Sequence, residues 1–320
     1  MKNRYYITII IALLALVSCQ KEELYTGPCN VRFKAYVQDE VAVTRATYTN
    51  IAASDVPAFI AELFVTNGEV VSRSSLTWNG STATSSLRLE EGDYTIYGYA
   101  PKAEGAAFAL ETKTMTATAI PGLSDKDAMV IRPQSLEIEH DVKEKKVALQ
   151  LDHLMAKVTP RFYLNSTYAA LRQIKIKKVI LWIEGGADQH TATVTYTIDN
   201  ANPYRIAWSE GEPIEQEEFV VYNVAKPTEW LTTTKGGQEY GYCYLCPNQS
   251  TANLKMCVIY DVYDTKGQLL RPNAEAVNTI KKLNAKGIVP GTDYKLNIQI
   301  VPTYLYVLSD NDEESLVIKD

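Results

Sequence analysis

The chain has 320 residues and a formal net charge of −6, with 46% hydrophobic and 22% charged residues. This length accommodates two domains of ordinary size, and the composition argues against an intrinsically disordered chain. The acidic balance argues against a nucleic-acid scaffold, because phosphate binding needs a basic surface. The chain contains 21 Tyr, only 6 Phe and many Thr, a bias that favours β-strands.

The first residues read as an export signal. Lys2 and Arg4 precede an apolar run at residues 7–17, which is too short for a membrane-spanning helix and has the length of a signal-peptide core. The run ends in Leu-Val-Ser-Cys at residues 16–19, which resembles the bacterial lipobox. We therefore predict a signal peptide at residues 1–18 and lipidation of Cys19; the alternative is an ordinary signal peptide followed by an incidental cysteine.

Most of the remaining chain alternates between apolar and polar residues, as strands do. Residues 31–37, 191–198 and 295–300 show this period of two, and residues 94–100 and 174–183 are further strand candidates. Gly-containing turn signals separate these segments. The only helical candidates are residues 166–171 and 276–283. The sequence predicts an all-β protein of two tandem antiparallel β-sandwiches with few short helices, at residues 46–168 and 169–320.

The cysteines do not predict a metal site. Cys243 and Cys246 lie three positions apart on a predicted strand, so their side chains point to opposite faces, and no second cysteine pair or nearby histidine completes a zinc site. Buried thiols are the favoured interpretation. A cross-strand disulfide between Cys257 and either Cys246 or Cys243 is left open, with Cys246–Cys257 named first.

No catalytic constellation is visible in the sequence. His140, His153 and His190 lie on separate segments, and none has a recognisable nucleophile beside it. The acidic run at residues 310–314 lacks the glycine and the spacing of a calcium loop. We expect a protein that is not an enzyme and that needs no cofactor or metal.

Two short motifs carry a resemblance to a known family. Val43-Thr44-Arg45-Ala46 follows the predicted lipidation site, and residues 151–159 read LDHLMAKVT. With the lipobox and the strand-like segment at 29–43, these motifs resemble the fimbrillin family, the type V pilin lipoproteins of Bacteroidales. The resemblance extends over essentially the full chain.

The resemblance implies a mechanism of assembly. Family members have two transthyretin-like domains and reach the outer membrane as lipoproteins. An Arg-specific protease cuts near the start, here between Arg45 and Ala46, and the leader at residues 19–45 departs with its first strand. The C-terminal strand of a neighbouring subunit then fills the groove. Implied partners are other copies or related fimbrial subunits, and the outer membrane before cleavage.

The C-terminal tail has the pattern of a donor strand. Residues 304–308 are apolar on both faces, and a second apolar stretch lies at 316–318. We predict a donor segment at about residues 302–320, with side chains from Tyr304, Tyr306, Leu308, Leu316 and Ile318. The alternative, held with equal weight, is that the tail is the last strand of its own domain.

The expected function is therefore a structural or tip subunit of a cell-surface fimbria with a role in adhesion. An alternative is a lipid-anchored surface protein that binds a host ligand or glycan, for which Trp78, Trp182, Trp208 and Trp230 are candidate platforms. A third reading is a fimbrial anchor that keeps its lipid and is not cut. All three place the chain at the cell surface.

Overall fold

The computed structural model describes residues 27–37, 49–50, 58–79, 83–102, 106–184, 189–197, 203–211, 218–247, 254–280, 288–301, 304–309 and 312–317. The predicted signal peptide, Cys19, Arg45, Ala46 and Ile318 lie outside these residues. The described part of the chain is all-β, as predicted, with a single short helix, α1 (Ser166–Ala169). The Asn165 side chain caps α1 by accepting hydrogen bonds from the N–H groups of Thr167 and Tyr168.

The strands in chain order are β1 (Cys29–Val37), β2 (Thr49–Asn50), β3 (Phe59–Thr66), β4 (Val71–Trp78), β5 (Ala83–Ser85), β6 (Arg88–Leu89), β7 (Gly92–Ala100), β8 (Ala107–Ala109), β9 (Thr114–Pro121), β10 (Leu123–Ser124), β11 (Met129–Ile138), β12 (Glu144–His153), β13 (Ala156–Leu164), β14 (Gln173–Ile183), β15 (Gln189–Tyr196), β16 (Tyr204–Glu210), β17 (Phe219–Asn223), β18 (Gln238–Glu239), β19 (Cys243–Leu245), β20 (Leu254–Tyr263), β21 (Leu269–Thr279), β22 (Thr292–Val301), β23 (Tyr304–Ser309) and β24 (Asp312–Val317).

Sheet A closes on itself. Its eight strands follow the order β5-β4-β3-β7-β11-β12-β1-β6. The two outermost strands, β5 and β6, are separated in sequence by residues 86–87 alone, so one stretch of chain at 83–89 pairs with β4 at one end and with β1 at the other. The curled sheet surrounds a core built from one face of each long strand, including Leu63, Ile96, Ile131 and Leu149.

Three other sheets complete the fold. Sheet B follows β10-β19-β13-β22-β23-β24, with β18 on β13 and β2 on β22; sheet C follows β16-β15-β9-β8; and sheet D follows β17-β14-β20-β21. Sheets B and D enclose a second core that contains Phe162, Leu181 and Ile298. A third core lies between sheet A and sheet C around Tyr97 and Tyr196. Most neighbouring strands are antiparallel, but β1 runs parallel to β12, and β13 runs parallel to β22.

The sheets do not divide the chain cleanly at residue 168. β15 and β16 follow that position, yet β15 pairs with β9, and Ala192 and Val194 lie in the third core. Conversely, β2, β10 and the nine-residue β13 come from the first half and join sheet B. A boundary between residues 168 and 169 is therefore crossed by strands in both directions.

The predicted helix at residues 276–283 is wrong in its described part, because β21 continues to Thr279. Ala274 and Ala276 are buried, whereas Val277 is 41% exposed. This is the alternation of a strand. The apolar spacing that favours a helix comes from Val277, Ile280 and Leu283. Of the two that the structure describes, Val277 and Ile280, only Ile280 is buried.

The cysteines agree with the favoured interpretation of buried thiols. Cys29, Cys243, Cys246 and Cys257 are all buried free thiols, so the Cys246–Cys257 disulfide that the sequence left open is not formed. Cys243 lies in the core between sheets B and D, and Cys246 lies in the core beside sheet C. Cys257 is on β20, where its neighbours Met256 and Val258 belong to the sheet B–sheet D core but Cys257 itself does not. The three thiols therefore occupy separate environments.

This arrangement predicts the behaviour of the thiols. Burial raises the pKa of Cys243 and of Cys257 to about 12, so neither forms the reactive thiolate at neutral pH. In the Cys19→Ala chain, all four remaining thiols should titrate with a thiol reagent in denaturant without reductant, and only slowly in the native protein. A count of two in denaturant would show that a disulfide forms.

Candidate functional site

The first described strand, β1, is inserted between two elements that come much later in the chain. Cys29, Val31 and Phe33 are buried in the core of sheet A, whereas Asn30 and Arg32 are exposed. This is the alternation that the sequence predicts for residues 31–37. β1 therefore contributes one apolar face to a core whose other strands come later in the chain.

Main-chain hydrogen bonds hold β1 on both sides. It is aligned in parallel with β12 over eight residue pairs, from Asn30↔Glu144 to Val37↔Leu151. The N–H of Asn30 donates to the carbonyl of Lys143 at 3.0 Å. On the other side, the N–H of Val31 donates to the carbonyl of Leu87 at 3.0 Å. We call the space that β1 occupies, between β12 and residues 83–89, the leader slot.

Removing β1 would uncover an apolar stripe and two rows of main-chain groups. The walls of the slot carry Leu87 and Leu89 on one side and Val147 and Leu149 on the other, all buried with β1 in place. Burial of side chains such as Val31 and Phe33 contributes roughly 1.5–3 kcal/mol each. An open slot is also an unpaired sheet edge, which favours addition of another strand.

Charge contributes little to the hold on β1. Arg32 pairs with Glu144 at 2.9 Å, but its side chain is 71% exposed, and exposed pairs of this kind contribute little to stability. Burial raises the pKa of the Cys29 thiol, so this cysteine acts as a small apolar side chain. The retention of β1 therefore depends on apolar burial and the main-chain ladder.

The predicted cleavage site lies, in sequence, between two strands of different sheets. β1 ends at Val37 in sheet A, and β2 begins at Thr49, which pairs with Asp293 in sheet B. Arg45 and Ala46 lie between these strands, in residues that the structure does not describe. A cut there would separate β1 from the rest of the chain without breaking any described strand.

The predicted donor tail forms a hairpin. Residues Tyr304, Tyr306 and Leu308 belong to β23, which pairs antiparallel with β22 from Leu296↔Ser309 to Val301↔Tyr304. Leu316 lies on β24, which pairs with β23. In this single chain, the tail therefore extends its own sheet B at the edge next to β22.

A buried pair, which the sequence did not reveal, fixes the junction between the halves. The Nδ1 of His153 contacts the Oδ2 of Asp127, and both side chains are almost fully buried. The Oδ1 of Asp127 accepts the N–H of Met155 at 3.3 Å, and the N–H of Leu154 donates to the carbonyl of Ala128 at 2.7 Å. Burial raises the pKa of Asp127, and the hydrogen bond to His153 opposes that rise.

This junction explains the LDHLMAKVT motif in structural terms. The motif covers the end of β12, the turn at residues 154–155 and the start of β13, which join sheet A to sheet B. The hydroxyl of Thr159 donates to the Oδ1 of Asp293 at 2.7 Å, which links β13 to β22. The sequence does not reveal Asp127 as the partner of His153, since an aspartate beside a turn normally lies at the surface.

The four tryptophans differ in exposure. Trp230 is 39% exposed, whereas Trp78 is buried in the sheet A core and Trp182 and Trp208 are partly buried. The Lys175 ammonium lies 4.1 Å from the centre of the Trp230 ring, and Tyr263 packs edge-on against the same ring at 5.0 Å. Among the four tryptophans, Trp230 alone is exposed, and Lys175 and Tyr263 cover part of its ring.

Within the described segments, no group of three or more His, Cys, Asp or Glu side chains could hold a metal ion. No helix in those segments is long and apolar enough to cross a membrane.

The similarities of this chain to known proteins are similarities of structure. No protein-family model matches the chain, and no curated protein matches it. The chain is similar to several solved structures. A candidate cell adhesion protein from Bacteroides uniformis is 14% identical, with a TM-score of 0.48, over 91% of this chain and 97% of that one.

Two other solved structures are described as fimbrial. A fimbrial assembly protein from Parabacteroides distasonis is 13% identical, with a TM-score of 0.41, over 91% of this chain and 98% of that one. A fimbrial protein from Bacteroides vulgatus is 11% identical, with a TM-score of 0.36, over 92% of this chain and 98% of that one.

The structure predicts how strongly β1 is held. Phe33→Ala should lower the free energy of unfolding by about 3–5 kcal/mol, because it leaves a cavity in the sheet A core. Arg32→Ala, the matched control on the exposed face, should cost less than about 1 kcal/mol. Urea unfolding of the uncut chain measures both. Equal effects of the two variants would contradict the placement of Phe33.

Proposed function

We propose that this chain is a subunit of a cell-surface fimbria that assembles by strand exchange. The observation that carries the proposal is the leader slot: β1 fills a place between β12 and residues 83–89 that another strand could take. The LVSC and VTRA motifs, in their order along the chain, support export as a lipoprotein at Cys19 and a cut between Arg45 and Ala46. The outer membrane and then the cell surface are the proposed locations.

Cleavage alone would not empty the slot. After a cut at Arg45, β1 would still be held by its ladder with β12 and by buried Cys29, Val31 and Phe33. Displacement needs an incoming strand that buries comparable apolar surface and replaces the same hydrogen bonds. Cleavage makes this exchange thermodynamically accessible, because the leaving strand is no longer tethered at high effective concentration.

The C-terminal tail is the proposed donor. In its own chain the tail makes six residue pairs between β22 and β23 and three between β23 and β24, whereas β1 makes eight with β12 and two with β6. A tail that moves as an extended strand into a neighbour's slot therefore exchanges nine residue pairs for up to ten. In an extended conformation, residues 304–317 also exceed the nine-residue length of β1.

A second candidate function is a surface protein that keeps its lipid and binds a ligand directly. The exposure of Trp230 is the observation that favours this function, because a tryptophan ring offers an apolar surface and an N–H donor to a bound ligand. The two functions are compatible in a tip subunit, which would be both assembled and adhesive.

The cleavage step is tested by Arg45→Ala. We expect this variant to accumulate as an uncut lipoprotein without polymer ladders on denaturing gels, because β1 stays tethered in its slot. The matched control is Arg32→Ala, which removes an arginine whose backbone is already paired within β1; it should mature and polymerise normally. Normal polymers from the Arg45→Ala chain would refute cleavage at this position.

The donor role of the tail is tested by Tyr306→Asp combined with Leu308→Asp. The charges should abolish polymer ladders, since two carboxylates cannot be buried in the leader slot without a large cost. Glu313→Ala on β24 is the control and should leave polymers unchanged.

The double variant has a second readout that separates donation from misfolding. Because its leader slot is unaltered, the cut variant should still bind a synthetic peptide of residues 302–320 with the native sequence. Unchanged ladders in the double variant would count against the donor assignment. Failure of the native-sequence peptide to bind a cut variant that keeps its native circular dichroism would also count against it.

A further inference from the structure

The proposed donor tail leaves the second half of the chain at one end of sheet B. β22 ends at Val301, and β23 begins at Tyr304. A tail that passes to a neighbouring subunit therefore has only residues 302 and 303 before its first donor side chain. Fully extended, the three steps from Val301 to Tyr304 span at most about 11 Å. The surface around Val301 must then lie against that neighbour.

Hydrogen bonds show which segments surround this end of β22. The N–H of Asn165 donates to the carbonyl of Ile300 at 2.9 Å, directly before α1. One residue earlier, the N–H of Leu164 donates to the carbonyl of Thr232 at 2.7 Å. The end of β13, α1 and the segment around residue 232 therefore meet beside the origin of the tail.

Sheet D presents three strand ends at the same place. The N–H of Leu231 donates to the carbonyl of Ile174 at 2.9 Å. Gln173, the first residue of β14, is aligned with Tyr263, and Tyr263 is aligned with Leu269. The start of β14, the end of β20 and the start of β21 therefore also lie beside the origin of the tail.

A cluster of exposed apolar side chains covers this end of the second half. We call it the root patch; it consists of Leu171, Trp230, Tyr263, Leu269 and Leu270. Leu171 is 61% exposed, the other two leucines and Trp230 are 39–48% exposed, and Tyr263 is half-buried against the Trp230 ring. Apolar clusters that remain exposed in this way mark interaction surfaces.

The rim of the root patch is basic. It carries four cations and two carboxylates, all at least partly exposed: Arg172, Lys175, Lys266, Arg271, Glu229 and Asp264. The Asp264 carboxylate already accepts two N–H groups of its own turn, at 2.9 and 2.7 Å. Asp261, nearby on β20, is buried and lies 3.9 Å from the Lys177 ammonium. The root patch therefore suits a partner with an apolar surface and a negative charge.

The leader slot opens at an acidic mouth. The cavity at the start of β1 is lined by Gly27 and Cys29 and by the turns at residues 90–91 and 138–142, and we call this region the slot mouth. Four of its side chains are exposed carboxylates: Glu90, Glu91, Glu139 and Asp141. The Nδ1 of His140 lies 2.9 Å from Glu91, and its Nε2 lies 3.4 Å from Asp141. Carboxylates remain in excess even when a protonated His140 and the adjacent Lys143 are counted.

The same end of sheet A also has an exposed apolar side chain. Val70 lies in the turn between β3 and β4, and Thr66 is aligned with both Val71 and Thr95, so this turn lies at the end where β7 begins. Val70 is 62% exposed, and with Leu171 it is the most exposed large apolar side chain in the described part of the chain. The two surfaces therefore share apolar exposure and have opposite charge.

The slot mouth and the root patch lie at opposite ends of the path through the β12–β13 junction. β12 runs from Glu144 at the mouth to His153, and β13 runs from Ala156 to Leu164 at the root patch. Each strand is about 30 Å long. Contact between two different surfaces of identical chains is heterologous, and its repetition builds a filament unless the rotation closes a ring.

We infer that the root patch of one subunit docks on the slot mouth of the next copy, and that the donor strand enters the slot parallel to β12. This inference rests on the proposed strand exchange and adds its docking surface and its direction. In the parallel direction, Tyr304 takes the end of the slot that Cys29 holds in β1, and the acidic residues 310–314 leave at the far end. The opposite direction would bring residues 310–314 against the carboxylates of the mouth, which is electrostatically unfavourable.

The docking surface is tested by charge reversal, with the amount of polymer on denaturing gels as the readout. Arg172→Glu combined with Arg271→Glu should lower this amount about tenfold or more, because like charges then meet across the contact. Glu90→Lys combined with Glu139→Lys should do the same. A chain with all four changes should regain polymer, since the two surfaces again have opposite charge.

The apolar part has a matched pair of variants. Leu171→Asp should lower the amount of polymer, whereas Ile60→Asp should not. Ile60 is 49% exposed and lies on β3 at the end of sheet A away from the slot mouth. Equal effects of the two variants would contradict a role of the root patch in docking.

Cross-linking tests the direction of the donor strand. Glu91→Cys with Thr303→Cys should give disulfide-linked oligomers on denaturing gels without reductant, because a parallel donor begins at the mouth. Glu91→Cys with Asn311→Cys should not. The reverse result would overturn the parallel direction.

A peptide separates docking from strand exchange. A synthetic peptide of residues 302–320 lacks the root patch, so it should bind the cut native chain and the cut Arg172→Glu, Arg271→Glu chain equally well. Normal polymer from both reversal pairs would overturn the docking inference and leave strand exchange standing. So would a four-change chain that keeps the native Tm but regains no polymer. Absence of polymer from the native chain would overturn strand exchange itself, and this inference with it.

Discussion

The leader slot is the constraint on which the rest of the first half depends. Sheet A curls so that residues 83–89 pair with β4 on one side. The gap between residues 83–89 and β12 is then one strand wide. β1 fills this gap. Val31 and Phe33 face the core and Arg32 faces solvent, which matches a site that is buried on one side and exposed on the other. Without a strand there, the sheet would carry two unpaired edges and an uncovered core, a state that strongly favours strand addition.

The second half stabilises the frame around this slot. The β15–β16 hairpin covers the outer face of sheet A through sheet C, and Tyr196 packs against Tyr97 at 5.0 Å. The Asp127–His153 contact fixes the turn that joins β12 to β13. Because β12 is also one wall of the leader slot, this turn anchors that wall independently of β1. A slot with fixed walls can exchange one strand for another without rebuilding the domain.

Alternation allowed the strands to be predicted well. Residues 174–183, 94–100 and 191–198 correspond closely to β14, β7 and β15, since each has one buried face and hence a period of two.

The pairing of the strands was not predictable in the same way. Alternation does not reveal which strands are neighbours. The parallel β1–β12 pair, the pairing of β15 with β9 and the Asp127–His153 contact are therefore visible only in the structure. The helix predicted at 276–283 is wrong because β21 pairs with β20 through Thr279. The disulfide left open between Cys246 and Cys257 does not form, because the two thiols lie in separate environments.

The central claim is that β1 is a replaceable strand, and the most direct measurement is the N-terminal residue of the subunit in fimbriae purified from the cell surface. Mass spectrometry of polymerised chains should find Ala46 at the N-terminus and no peptide from residues 19–45. Polymers whose subunits begin at lipidated Cys19 and retain residues 29–37 would contradict the account, because the leader slot would then still hold its own β1.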